Sequence, residues 1–398
     1  MLDMKRRIEW LALAMILLAA AVLRLTGIDW DGYQHYHPDE RYISWVATTI
    51  EWPDEWRGAF SPSSSSFNPY YWPPDAASDG IVVEQDQPRD FAYGHLPLYL
   101  GVAATRLAEK LEWLTAVLPP DWLFTRDVLN GAGQVEFRHL TAVARFLTGL
   151  FDVGTVWLTY LLGRRLYGTK AGLLAAAFLA LNVMHIQLAH FFAVDPYVTF
   201  FVVGAVYFMV VAIDRNDQTQ NVKRKTSLGY AATSRLRNRA HLFLATIFIG
   251  LAIGSKFAAV LLFLPLALTI WLEWRERWGL WFGTAVIIAF LTFFITNPFA
   301  VLDFSCEVIT PAVELGPITI PRLDWRSCYL DNIATQSAMA RGAIDLPFTR
   351  QYEGTLPYLY FVEMQIKWGM GPLLGTAALL IDSADQVSQG RGGKIVLP

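Results

Sequence analysis

The sequence predicts an all-α polytopic membrane protein, a bundle of about eight transmembrane helices with a long first extracytoplasmic loop that contains interfacial helices. Three observations carry this. Of the 398 residues, 54% are hydrophobic and only 17% charged, against about 25% charged in a typical soluble domain. Aromatic residues make up 14%, with 15 Trp, 16 Tyr and 25 Phe, a supply suited to aromatic belts at two interfaces. Basic residues gather in alternate connections between the apolar runs, as the positive-inside rule requires. The net charge of −3 is uninformative as a sum, and no basic domain with nucleic-acid motifs appears, which argues against a nucleic-acid partner.

The elements follow in order. The apolar stretch Trp10–Ile28 has the basic start of a signal peptide, but it reaches roughly the 20 residues of a spanning helix and lacks a small-residue cleavage site. It reads as a retained first span, with Lys5, Arg6 and Arg7 holding the amino terminus in the cytoplasm. Residues 29–138, rich in Asp, Glu, Trp and Pro, then form an extracytoplasmic loop. Spans two to seven fall within 139–297. The second, Thr141–Leu162, leads to Arg164, Arg165 and Lys170 inside; the third starts near Ala171 and turns at "NVMHIQLAH". The fourth, Phe191–Ile213, leads to an inside loop with Lys223, Arg224, Lys225, Arg235, Arg237 and Arg239. His241–Leu272 would be about 48 Å long as one helix, against a hydrocarbon core of about 30 Å. A hairpin turning at "GSK", residues 254–256, is therefore expected. Leu280–Thr296 exits at "NPF", residues 304–357 form another outer loop, and 358–398 hold a tail after either a last span ending near Ile381 or an interfacial helix with Glu363 and Lys367. No internal repeat is visible, and "SPSSSS" reads as a mobile loop.

With this topology the polar residues sort to one level. Asp39 and Glu40 follow the first span, and Arg145 lies about one turn inside the second. His185, His190 and Asp195 surround the next outer turn, Lys256 sits at the hairpin turn, and Asn297 ends the seventh span. Ionisable groups in membrane segments are costly and point to function. A transporter would place them near the midplane on broken helices of related repeats; here only Asp152 is mid-span. In "HPDERYISWVATTIEW", Pro38 suits a first helical position, and Ile43, Val46, Ala47 and Ile50 make one apolar stripe. A short amphipathic helix on the membrane is expected, its first turn holding Asp39 and Glu40 about 100° apart. The two carboxylates then take different roles, one facing an acceptor while the other pairs with Arg41 or another cation.

These segments resemble the GT-C superfamily of polyprenyl-phosphate-sugar-dependent glycosyltransferases, close to the protein O-mannosyltransferase and aminoarabinose transferase group. The family's acidic pair after the first span is matched by Asp39-Glu40, its "HPPL" element by "HLPL" at His95–Leu98, and its Arg early in the second span by Arg145. Its Arg-x4-Asp element is matched by "HFFAVD", with His190 in the Arg position and Asp195 in place; "GSKFAAVLLFLP" and "NPFAVLD" are similar to further segments. The opening "HPDER" and "NPY" also resemble a set of uncharacterised bacterial and archaeal membrane proteins. The resemblance covers about residues 10–303, within a membrane domain drawn at 1–303. The family usually continues with more spans, so the chain reads as a fragment or a short member.

The resemblance implies an inverting transfer of a sugar from a polyprenyl phosphate to an acceptor hydroxyl on a protein, glycan or lipid. Asp39 would be the general base, with Glu40 and Asp195 completing the acidic set. His95, Arg145, His190, Lys256 and Asn297 would bind the sugar or meet the charge of the leaving lipid phosphate. The alternatives are a lipid-linked-sugar flippase, which needs the cations but no base, and a non-catalytic membrane scaffold. No obligatory metal is expected, since no zinc-type spacing appears, although Asp, Glu and His at one face leave a divalent cation open. Cys306 and Cys328, the only cysteines, fall in the second outer loop, where an oxidising compartment permits a disulfide, worth roughly 3 kcal/mol in the chain-entropy account. The expected location is the plasma (inner) membrane, with the site outside.

Overall fold

The structure, a computed structural model, describes residues 2–51, 57–72, 88–122, 124–130, 137–213, 228–310, 313–315, 318–320, 323–340, 350, 354–356 and 359–377. Apolar runs fold as helices because backbone in hydrocarbon must satisfy its own N–H and C=O groups. The membrane body is built from α1 (Leu2–Leu25), α4 (Phe137–Tyr167), α5 (Thr169–Ala180), α6 (Val183–Ala189), α7 (Asp195–Ala212), α8 (Leu228–Ser255), α9 (Phe263–Trp274) and α10 (Trp278–Thr296). The segment between α1 and α4 contributes α2 (Pro38–Thr48) and α3 (His95–Lys110), and α11 (Pro298–Leu302) follows the last long helix.

Five stretches are long and apolar enough to cross a membrane: Arg6–Leu25, Leu140–Tyr167, Asp195–Ala212, Arg237–Ser255 and Phe257–Thr296. The pair α5–α6, bent by 58°, makes a sixth if it is one span. Phe257–Thr296 holds 40 residues, about 60 Å as one helix and twice the hydrocarbon core. It breaks at Arg275–Arg277 into two legs. The expected hairpin is therefore present: α8 ends at Ser255, the chain turns at Lys256, and α9 returns until Glu273 meets Asn238 at 3.4 Å. An eighth span is not found among the described residues. Residues 359–377 form α13 (Leu359–Met364), a π turn at Gln365–Gly369 and one further short helix, each too short to cross. The rest of that expected span, residues 378–381, lies outside the described residues, as do Lys223, Arg224 and Lys225.

The segment after α11 adds something an all-α reading did not contain. β1 (Glu307–Thr310) pairs antiparallel with β4 (Leu323–Arg326), and β2 (Val313–Leu315) with β3 (Ile318–Ile320). Strands of three or four residues are too short for alternation to be read. A Cys306–Cys328 disulfide ties the ends of this loop, and α12 (Cys328–Ala340) starts from it.

Packing inverts the usual soluble order. Ile8, Leu11, Met15 and Leu18 of α1 are exposed, while Arg24, Arg145, Thr148 and Asp152 are buried. Small residues let helices approach closely: Gly163 of α4 lies against Gly172 of α5, and Gly204 of α7 against Phe248 of α8. The break after α5 is held by Arg24, which donates to the carbonyls of Ala180 at 2.8 Å and Leu179 at 3.0 Å and to Asp152 at 2.5 Å. Those carbonyls are the acceptors a helix end leaves over. His185 Nδ1–H donates to the other Asp152 oxygen, 2.7 Å away, so this mid-span carboxylate is a paired structural group.

Candidate functional site

The site is set by how the chain leaves α1. Residues 28–37 fold back over the amino-terminal end of α4, and the fold is organised around one guanidinium. Arg145 donates Nε to Glu40 (2.6 Å), Nη1 to Asp31 (2.8 Å) and the Ile28 carbonyl (2.6 Å), and Nη2 to Asp31 (2.9 Å) and Glu40 (2.6 Å). An arginine has five N–H donors, and all five are engaged. Glu40 also accepts the Phe192 N–H at 2.7 Å, which ties α2 to the segment before α7. Asp31 accepts the N–H groups of Tyr33 and His35, two non-glycine residues held at φ of 60° and 56°, a costly conformation that persists only when surroundings impose it. Burial alone would raise the Asp31 carboxyl, but the Arg145 hydrogen bonds and charge outweigh it and hold it down at about 2.

Glu40, 0% exposed, is the carboxylate that pairs with a cation, and that cation is Arg145; Arg145 in turn is fully buried with no donor left for the lipid phosphate it was expected to meet. They form a scaffold. The apolar stripe of α2 is likewise turned into the protein, with Ile43, Val46, Ala47 and Ile50 buried, and does not lie against lipid.

Asp39 is left outside the scaffold. It stands half-buried in the first turn of α2, where the helix dipole favours a carboxylate. Next to it is Tyr93, whose phenol is pushed well above its ordinary range by burial, by the Asp39 carboxylate and, more weakly, by Asp195. Asp195 opens α7 and accepts from Lys256 Nζ at 2.9 Å, with both side chains solvent-accessible. Asp39, Tyr93, Asp195 and Lys256 thus form one polar line. Beside it runs an aromatic face: His37 lies 4.5 Å from Phe191, Phe191 5.8 Å from Trp30, and Trp30 6.1 Å from Tyr36, with Trp30 and Tyr36 exposed.

The remaining expected ligands are committed elsewhere. His95 is 0% exposed, and burial alone lowers it to about 3, so it is neutral and offers a phosphate no charge. Its Nε2 meets Tyr70 at 3.1 Å and its N–H donates to Asn297 Oδ1 at 2.6 Å. Asn297 therefore joins α3 to the end of α10. His190 closes α6, its ring nitrogens 2.7 Å and 2.9 Å from the carbonyls of Ile186 and Thr26. Gly94 donates to the Ser255 carbonyl at 3.1 Å, and a Cβ there would run into the Gly254 carbonyl. This close approach seats Tyr93 against the Lys256 turn. Tyr93, Asp31 and the aromatic face were not singled out from the sequence: a Tyr between Ala and Gly carries no motif, and only proximity gives it meaning. Among the described residues no three His, Cys, Asp or Glu side chains are grouped to hold a metal ion.

Residues 119–308 match the model of the dolichyl-phosphate-mannose-protein mannosyltransferase family. Over that segment the chain is similar to these mannosyltransferases. The match bears out the GT-C resemblance read from the motifs, and it spans Arg145, His190, Asp195, Lys256 and Asn297 but not Asp39 or His95. No curated protein matches the chain. Among solved structures it is similar to the Saccharomyces cerevisiae protein O-mannosyltransferase Pmt1–Pmt2 complex bound to the sugar donor, at 15% identity and a TM-score of 0.44, covering 72% of this chain and 33% of that one. The Archaeoglobus fulgidus oligosaccharyltransferase is similar in its apo form, at 14% identity and a TM-score of 0.46, covering 98% and 39%. Its complex with Zn and sulfate gives 16% identity and 0.44, covering 94% and 40%. The chain thus spans a third to two-fifths of the length of these structures.

Proposed function

We propose that this protein is an inverting membrane glycosyltransferase that moves a sugar from a polyprenyl phosphate to an acceptor hydroxyl at the outer face of the membrane. One observation carries the reading. Glu40, Asp31 and Arg145 consume one another, while Asp39, next in sequence, stands clear of them beside Tyr93 and the Lys256–Asp195 pair.

Asp39 takes the proton of the acceptor hydroxyl as that oxygen bonds to the anomeric carbon; the carbon–oxygen bond to phosphate breaks on the opposite face, and the polyprenyl phosphate departs as an anion. A base within about 3 Å of the hydroxyl is the requirement. Lys256 supplies the cation for the leaving phosphate, Asp195 aims it, and Trp30 and Tyr36 provide stacking surface for the sugar. No resident cofactor is invoked. The lines of Lys5, Arg6 and Arg7 at the start of α1 and of Arg164, Arg165, Arg275 and Arg277 at the far ends of α4 and α9 support a cytoplasmic face opposite Asp39, in the plasma membrane. A polyprenyl-phosphate mannose with a protein acceptor is the first pair to test, since the matched family is described by both.

The test is transfer of labelled sugar in nanodiscs. Asp39→Asn should lose about 10²–10⁴ in rate with donor affinity and melting temperature kept, whereas Lys256→Gln should weaken donor binding. Near wild-type transfer by Asp39→Asn removes the base assignment. Donor movement across the bilayer, unaffected by Asp39→Asn and without transfer, establishes the flippase instead.

A further inference from the structure

We infer that the face opposite Asp39 carries a site for one anionic phospholipid, in the groove between α8 and α10. The groove encloses about 370 Å³ and is lined by Leu242, Phe243 and Thr246 of α8 and by Trp281, Ala285 and Ile288 of α10. Its two hydroxyls have no proton to spare for an occupant, and the rest of the lining below Arg239 is apolar. Thr246 donates to the Leu242 carbonyl at 2.8 Å and Thr284 to the Leu280 carbonyl at 2.8 Å. The occupant of the groove is therefore an apolar chain.

The mouth has the opposite character. Arg239 is exposed, with its guanidinium 5.2 Å from the centroid of the Trp281 ring, and the Trp274 ring lies 5.7 Å from that of Trp281. No carboxylate within ion-pair distance of Arg239 is present among the described residues. The neighbouring acid, Glu273, meets Asn238. From Arg239 to Thr246 the groove descends about 10 Å along α8, from the aromatic level into the hydrocarbon. A cation stacked on an indole at the interface, above a dry apolar slot, is complementary to a negatively charged headgroup with an acyl chain beneath it. The mouth lies towards the Arg275–Arg277 end of the bundle, with Arg239 about 24 Å along α8 from Ser255, so it is separate from the sugar-transfer site.

The experiment purifies the intact chain, exchanges it into nanodiscs of phosphatidylcholine with a small fraction of phosphatidylglycerol, and counts lipids retained on release by native mass spectrometry. A photo-crosslinking residue at Phe243 identifies the neighbour. The wild-type protein should retain one phosphatidylglycerol in preference to phosphatidylcholine. Arg239→Gln should reduce that preference about fivefold, the effect of one interfacial cation, and Thr284→Trp, at an exposed position of the lining, should remove retention of both lipids. Both variants should keep the wild-type melting temperature in detergent. Equal retention of the two lipids, an unchanged preference in Arg239→Gln, a stronger preference for a polyprenyl phosphate, or a crosslink to protein at Phe243 would each overturn the proposal.

Discussion

At the scale of single residues, the difference between Asp39 and Glu40 is one of partners. Adjacent carboxylates in the first turn of a helix share the same dipole, yet one is sealed under Arg145 and the other faces outward. Arg145→Ala leaves Asp31 and Glu40 buried without a counter-charge, and loss of one partner from a buried pair costs about 3–5 kcal/mol. Thermal unfolding in detergent should show a large fall in melting temperature, and Arg145→Lys, with three donors in place of five, should recover only part of it. His95 gives a pH-dependent counterpart. Its folded value of about 3 lies below the ordinary 6.5, so the neutral ring's contribution is complete above pH 6.5 and is lost as pH falls from 6.5 towards 3. The slope is at most about 1.4 kcal/mol per pH unit. Melting temperature measured across that range should decline in the wild type and decline less in His95→Gln. The sequence placed Asp39, Glu40 and Arg145 at one level correctly, because spans and loops are read from hydropathy. It could not say which carboxylate the arginine would take, since that depends on Asp31, brought in by a turn with two left-handed residues.

At the scale of elements, the junction that matters is α3 against the turn after α8. Gly94, Asn297 and the Ser255 carbonyl make a contact too tight for a side chain. Gly94→Ala should therefore part α3 from α8, at the about 1–3 kcal/mol typical of overpacking, and displace Tyr93 from Asp39. Gly172→Leu, with its Cβ 2.7 Å from the Tyr160 carbonyl, should destabilise comparably while leaving donor affinity intact. Comparing donor affinity with melting temperature in the two variants separates the effects. The hairpin over residues 241–272 was legible because a helix of about 48 Å does not fit a hydrocarbon core of about 30 Å. The turn between α5 and α6 was read at "NVMHIQLAH", and Asn182 caps α6 there, but what holds it was not legible: the carbonyls it frees are satisfied by Arg24, a residue more than 150 positions away.

At the scale of the whole molecule, Asp39, Asp195 and Lys256 lie at one end of the bundle and Arg164, Arg165, Arg275 and Arg277 at the other, which sets an expectation for labelling in intact cells. Cysteines introduced at Ser64 and at Lys256, both solvent-accessible, should react with an impermeant outside reagent, and one at Arg277 only after permeabilisation. Labelling of the Lys256 position from the cytoplasm alone would detach that lysine from the site. The arginine that holds the α5–α6 break also constrains how the chain is made. Arg24 emerges from the ribosome within the first span, but Asp152, Leu179 and Ala180 are synthesised only after well over a hundred further residues. Through that interval the first span carries a cation that hydrocarbon disfavours, so it must wait at the insertion machinery or float shallow in the bilayer until its partners arrive. Nascent chains stalled before residue 150 should release the first span to alkaline extraction, chains stalled beyond residue 230 should not, and Arg24→Leu should abolish the difference.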